Sequence, residues 1–329
     1  MKTVYAGVDL GGTSIKLGLV SEHELLSSID IPADNHQGLR PALDRIAQAL
    51  GDLLLQGDFS LGGFGFGFPG LVDCSTNRII GSNAKYPDAG TVNLARWTQE
   101  TWGVPLALDN DARLAAIGEW KFGGGKGLGN LVVLTLGTGI GSGVVLQNRV
   151  LRGVHYRAGN LGGHVPLGAL GSFRGNEGQP VVRCNCGNLG CAEAYASTWA
   201  LQRDLSLFPP KGYLSQYSPK TIGFKEVFLG VRERDPEAKV IAARAIEVWG
   251  ALVVSFIHNF DPEAVILTGN VMGSADLILP GIQQYVDAYA WTPEHRVLVR
   301  AGVLGSKAAV WGAGYLASKT SEEVHHEFI

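Results

Sequence analysis

Cysteine is scarce in this sequence, four residues in 329, and three of the four crowd into 184–191. A disulfide framework spreads its cysteines along the chain, so that class is excluded. Runs of like charge are also missing. The 27 basic and 30 acidic residues are dispersed and leave a formal net charge of −3, without the basic stripe that a nucleic-acid partner requires. Long apolar runs are absent as well: 131–136 and 251–257 fall far short of the roughly 20 residues that cross a bilayer. No membrane partner is therefore expected. The opening residues Met1 to Val8 show neither the apolar core nor the small-residue cleavage site of a signal peptide, which predicts a cytoplasmic protein.

Glycine is abundant instead, 46 residues, about twice the usual share of about 7% and with no collagen-like period. Such an excess predicts tight turns and places where backbone approaches a ligand closely. The length allows about two domains, each able to bury its own core. Apolar runs at Val4 to Leu10 and Ser14 to Val20, broken by Gly11-Gly12, predict a hairpin tipped with glycine. A second hairpin of the same kind runs from 130–136 through Gly137-Thr138-Gly139-Ile140-Gly141-Ser142-Gly143 into 144–147. Leucine and isoleucine at helical spacing predict a helix over 41–55, with Pro41 near its start. A strand over 64–68 ends at Pro69-Gly70, and a short strand at 106–108 delivers Asp109-Asn110-Asp111 to a helix over 112–121. Later stretches alternate helix (237–260), strand (264–268) and a closing helix (307–318), so the class is α/β.

A turn of glycine and threonine can turn several backbone N–H groups toward one anion, because no side chain blocks approach. Either hairpin alone is also what an ordinary turn looks like; two of them, one beside Asp9, point to phosphate. Gly123-Gly124-Gly125-Lys126 superficially resembles a Walker A loop, but Trp120 stands where that motif needs glycine and Gly127 where it needs Ser or Thr. It is expected to be a connector. Cys184, Cys186 and Cys191 can converge because glycines let the loop fold back, and His164 is the best fourth donor for a closed tetrahedral zinc. Cys74 stands apart as a buried or idle thiol. Asn110 and Asp111 suit a helix N-cap; the same corner at a strand's carboxyl end suits a carboxylate that accepts a proton.

Together these pieces resemble the ROK family of sugar kinases and repressors, over nearly the whole chain. The matching runs are Val8-Asp9-Leu10-Gly11-Gly12-Thr13-Ser14-Ile15-Lys16, Gly67-Phe68-Pro69-Gly70-Leu71-Val72-Asp73, Asn110-Asp111-Ala112 and Leu136-Gly137-Thr138-Gly139-Ile140-Gly141. The cysteine cluster with Glu193, and Asp261-Pro262 leading to Leu267-Thr268-Gly269-Asn270, complete the series. The resemblance implies a two-lobed, actin-like (ribonuclease H-like) ATPase fold with a cleft between the lobes. Residues 1–117, completed by a C-terminal helix of about 307–329, would form the small lobe, and 118–306 the large lobe with the zinc loop. It further implies ATP-dependent phosphorylation of a hexose, by family habit on the 6-hydroxyl, in a homodimer. Asp9, Gly11, Gly12, Thr13, Lys16, Gly137, Thr138 and Gly139 would hold ATP and magnesium, with Gly269 near the adenosine. Pro69, Gly70, Asn83, Asn110, Asp111, Asn160, His164 and Glu193 would line the sugar site, with Asp111 as the base. Structural zinc on His164, Cys184, Cys186 and Cys191 would fix the loop that carries Glu193.

One run departs from the family pattern Gly-Glu-x-Gly-His: here it reads Gly159-Asn160-Leu161-Gly162-Gly163-His164. An amide both donates and accepts, so a different hydroxyl pattern or an N-acetyl group is expected in place of, or beside, glucose. Two other outcomes compete with a kinase. A DNA-binding repressor is disfavoured because the first hairpin begins within ten residues of Met1; a sugar-binding regulator that has lost catalysis is kept open by Asn160.

Overall fold

The computed structural model describes residues 1–80, 85–167 and 182–319. Asn83, one of the predicted sugar-site residues, lies outside these, as does the stretch 320–329 of the predicted C-terminal helix. In chain order the first elements are β1 (Lys2–Leu10), β2 (Ser14–Val20), β3 (Leu25–Pro32), α1 (Leu39–Leu54) and β4 (Phe59–Phe68). A small hairpin of β5 (Val72–Asp73) and β6 (Arg78–Ile79) precedes α2 (Leu94–Trp102), β7 (Leu106–Asn110) and α3 (Asp111–Lys121). Then come β8 (Leu131–Leu136), β9 (Ile140–Leu146), β10 (Arg149–Val150), α4 (Glu193–Ala196), α5 (Thr198–Leu207) and α6 (Phe224–Arg232). The chain closes with α7 (Pro236–Phe260), β11 (Ala264–Thr268), α8 (Ala275–Tyr289), β12 (Leu298–Ala301) and α9 (Ala308–Ser318).

These elements form two compact units. The first takes in Met1–Gly129, Gly143–Asn160 and the stretch from Ser306 on; the second takes in Asn130–Ser142 and Leu161–Gly305. The first unit thus reaches beyond residue 117, where the sequence reading ended its small lobe. The helix α3 runs unbroken to Lys121, and a helix cannot be divided without losing its hydrogen-bond ladder.

The first unit is built on the sheet order β3-β2-β1-β4-β7. The pairs β1/β2 and β2/β3 are antiparallel, whereas β1/β4 and β4/β7 are parallel. Side chains alternate across a strand, and on β1 the residues Val4, Ala6, Val8 and Leu10 join Leu39, Leu43, Ile46 and Leu50 of α1 in one apolar cluster. The other face of the sheet receives α9. There Gly7 and Gly65 meet the carbonyls of Val310 and Ala313 so closely that any Cβ would collide with them. Gly118 of α3 and Gly312 of α9 meet in the same way. Part of the glycine excess therefore serves backbone-to-backbone packing of a helix on a sheet.

In the second unit β11 pairs in parallel with β8 on one side and β12 on the other. The strand β9 starts in this unit and ends in the first, where it pairs with β10. The helix α7, at 25 residues and a mean hydropathy of 1.9 over its apolar window, is long and apolar enough to cross a membrane, but half of that window is buried in protein. The sequence reading placed this helix over 237–260, one residue short of its observed start. Its Trp249 is wholly enclosed and donates to the Ala196 carbonyl at 3.0 Å, which marks α7 as a core helix.

Candidate active site

In the first unit, the carboxyl end of β1 carries Asp9, nearly buried, with Lys16 Nζ 3.0 Å from its Oδ2 across the β1/β2 pair. The turn that follows is tightly folded: Gly11 N–H donates to the Asp9 carbonyl, and a Cβ on Gly11 would collide with the Ser14 carbonyl. Tyr86 donates its hydroxyl to the Gly11 carbonyl at 2.8 Å, and the Lys85 side chain packs over Gly12. Among the described residues, the N–H groups of Gly12 and Thr13 have no partner. Two adjacent free N–H groups beside a lysine form the kind of concavity that takes an anion.

Asp111 stands at the junction of β7 and α3. Asn110 is the N-cap and accepts from Arg113 N–H at 3.1 Å, while its Nδ2 donates to the Gly70 carbonyl and to Asp111 Oδ1. The cap and the site thus share one corner, and Gly70 is tied to it. Asp111 is half-buried, and burial together with the neighbouring Asp9 carboxylate pushes its pKa up to about 6; Lys85, the Ala112 N–H and Lys16 act the other way. A carboxylate poised near neutrality is suited to take a proton during reaction.

Beneath this corner lies an ionic cluster that the sequence did not announce. Asp109 is fully buried and pairs with Arg113 Nη1 at 2.6 Å and with Arg152 Nη2 at 2.5 Å. Burial alone would raise its pKa, but the two guanidinium groups prevail and hold its carboxyl well below the ordinary range. Cys74 donates to Asp109 at 3.1 Å, and desolvation pushes its thiol up, so it is an inert, half-buried thiol rather than a nucleophile. Arg113 also donates to the carbonyls of Tyr156 and Ala158, which anchors the segment leading to Asn160. Asn160 is 6% exposed, and neither atom of its amide has a hydrogen-bond partner among the described residues. Such a group is costly to leave unpaired and calls for a ligand or water.

The second unit holds the other predicted residues. The turn Gly137–Gly139 joins β8 to β9, and Gly269, at φ +101°, sits against the backbone of Leu136, so the two glycine segments meet. Glu193 accepts from the Ile140 N–H at 2.8 Å and from Trp199 Nε1 at 3.1 Å. The donor atoms of His164, Cys184, Cys186 and Cys191 all lie within 4.8 Å of one another. Cys184 Sγ is 3.6 Å from His164 Nδ1, and Cys186 Sγ is 3.7 Å from Cys191 Sγ. A tetrahedral zinc with Zn–S of about 2.3 Å and Zn–N of about 2.0 Å puts its donors roughly 3.5–3.8 Å apart, so the donor set fits that ion. The Gly123–Lys126 loop is a connector: Gly124 N–H goes to the Glu119 carboxylate and Gly123 and Gly125 N–H to the Glu119 carbonyl, which leaves no phosphate cradle.

A profile of the ROK family matches residues 5–320. A glucokinase of Halalkalibacterium halodurans is 31% identical over 96% of this chain and 95% of its own. The crystal structure of a ROK family glucokinase from Streptomyces griseus, in complex with glucose and AMPPNP, is 28% identical with a TM-score of 0.77, covering 95% of this chain and 99% of that one. A xylose repressor of Bacillus spizizenii is 28% identical over 71% of this chain and 54% of its own length.

Proposed function

Since the chain belongs to the ROK family and has its actin-like fold, we propose that it is an ATP-dependent hexose kinase in which Asp111 is the general base. One observation carries the reading. A carboxylate raised to about 6 stands within the field of Asp9, beside a turn whose Gly12 and Thr13 N–H groups are free for phosphate. Phosphoryl transfer needs positioning and charge neutralisation more than covalent help. Asp111 takes the proton of the attacking hydroxyl, the family habit being the 6-hydroxyl. Gly11, Gly12, Thr13, Lys16, Gly137, Thr138, Gly139 and Gly269 are the residues we assign to ATP. Magnesium, when bound, would neutralise phosphate charge, and Asp9 is the carboxylate placed to hold it. Zinc on His164, Cys184, Cys186 and Cys191 is structural, because four protein donors leave no open position.

Pro69, Gly70, Asn110 and Asn160, together with His164 and Glu193, serve the sugar. The buried, unpartnered amide of Asn160 supports a sugar that offers it both a donor and an acceptor, a free hydroxyl or an acetamido group. A cytoplasmic homodimer is the setting we assign. The same amide, and the likeness to a xylose repressor, favour a second reading: a regulator that binds sugar without turnover.

An ADP-release assay over glucose, mannose, fructose, allose, N-acetylglucosamine and N-acetylmannosamine separates the two. The kinase reading expects one or two of these to give sugar-dependent ADP. Sugar binding in a titration with no ADP from any of them would establish the regulator instead.

A further inference from the structure

Two segments of the second unit clasp the turn Gly137–Gly139, and both belong to the metal cluster. In the first, Gly162 N–H donates to Ser142 Oγ at 2.9 Å, Gly163 presses on the Ile140 carbonyl without room for a Cβ, and His164 follows. The second begins at Cys191. Two residues on, the Glu193 carboxylate accepts from the Ile140 and Trp199 N–H groups and occupies the space beside Gly139, where a Cβ would lie 2.6 Å from Oε2. At the start of α5, Thr198 N–H donates to the Gly137 carbonyl at 3.0 Å and Trp199 N–H to the Thr138 carbonyl at 3.2 Å. Ala192 N–H joins the Val165 carbonyl at 2.9 Å, which ties the two segments together.

The peptide group is planar and trans, so its carbonyl and N–H point in opposite directions. With the carbonyls of Gly137 and Thr138 held by α5, the N–H groups of Thr138 and Gly139 point away from it, and among the described residues neither has a partner. We propose that Glu193 is a positioning residue for the nucleotide, locking this turn in its phosphate-facing form and linking it to the metal cluster. The proposal rests on reading Gly137–Gly139 as a phosphate turn. It gives Glu193 a task distinct from the sugar contact that the family resemblance implies.

The test is Glu193→Gln in the full-length, zinc-loaded protein. Glutamine keeps one acceptor, but its amide NH₂ faces the second N–H donor, so one of the two hydrogen bonds is lost. Calorimetric titration without sugar is expected to show the Kd for Mg·ADP raised about tenfold, and zinc retained at about one equivalent. Amide exchange at Ile140 is expected to quicken. Trp199→Phe, which removes the other donor and keeps a ring, covers the case in which Glu193→Gln does not fold; it is expected to weaken ADP in the same direction, by about threefold. Unchanged ADP affinity in folded, zinc-loaded variants, or a loss confined to glucose, would overturn the proposal. Failure of the unaltered protein to bind ADP would instead remove the kinase reading beneath it.

Discussion

Asp111→Asn is expected to cut sugar-dependent ADP formation by about 10² to 10⁴, the usual contribution of a general base, with sugar affinity nearly unchanged. Asparagine keeps the acceptor for the Ala112 N–H and for Asn110 Nδ2, so the corner keeps its shape and loses only the ability to take a proton. The same substitution is expected to stabilise the protein at neutral pH. Asp111 in the folded protein titrates near 6, above its ordinary value. A group so raised contributes stability below the unfolded pKa and loses it as pH rises through the folded one. The charged aspartate is therefore a burden above about pH 6, and an always-neutral asparagine removes it. The gain in melting temperature is expected to grow through about pH 6 and to vanish near pH 4. Substantial residual turnover, or a variant less stable than the parent at pH 7.5, would contradict the assigned role.

The second large effect concerns stability. Asp109→Asn leaves Arg113 and Arg152 buried without their counter-charge, and breaking a buried pair from one side costs about 3–5 kcal/mol. At a few degrees per kcal/mol the melting temperature is expected to fall by about 10 °C. Asp109 joins β7, the first turn of α3 and the segment at Arg152, while Arg113 reaches on to the Tyr156 and Ala158 carbonyls. The cluster therefore sets the distance between Asp111 and the segment carrying Asn160 within one unit. A shift below about 2 °C in thermal denaturation would show that the cluster bears little of the load.

How much of this was legible in the sequence depended on how local each signal is. The strands β1, β2, β8 and β11 are buried apolar runs and could be seen directly, and α1 announces itself by its spacing. The strand β3 was missed because it is half-exposed and rich in serine, with no buried run to mark it; only its ladder with β2 defines it. The four metal donors stood out because three lie in one short loop. The partners of Asp109 lie four and 43 residues away, and nothing in a dispersed charge pattern separates a buried arginine from a solvated one. Lys85 and Tyr86, which cover the first glycine turn, carry no motif. Glu193 was found by its place after the cysteines, but its bonds to Ile140 and Trp199 depend on how β9 and α5 fold back, which no spacing encodes.

The central claim, that a carboxylate titrating near 6 deprotonates a sugar hydroxyl, is tested most directly by the pH dependence of kcat/KM for the sugar between about pH 4.5 and about pH 8.5. The account predicts a rise with a single proton lost, a midpoint near 6 and a plateau above it. A profile that is flat across that range would contradict it.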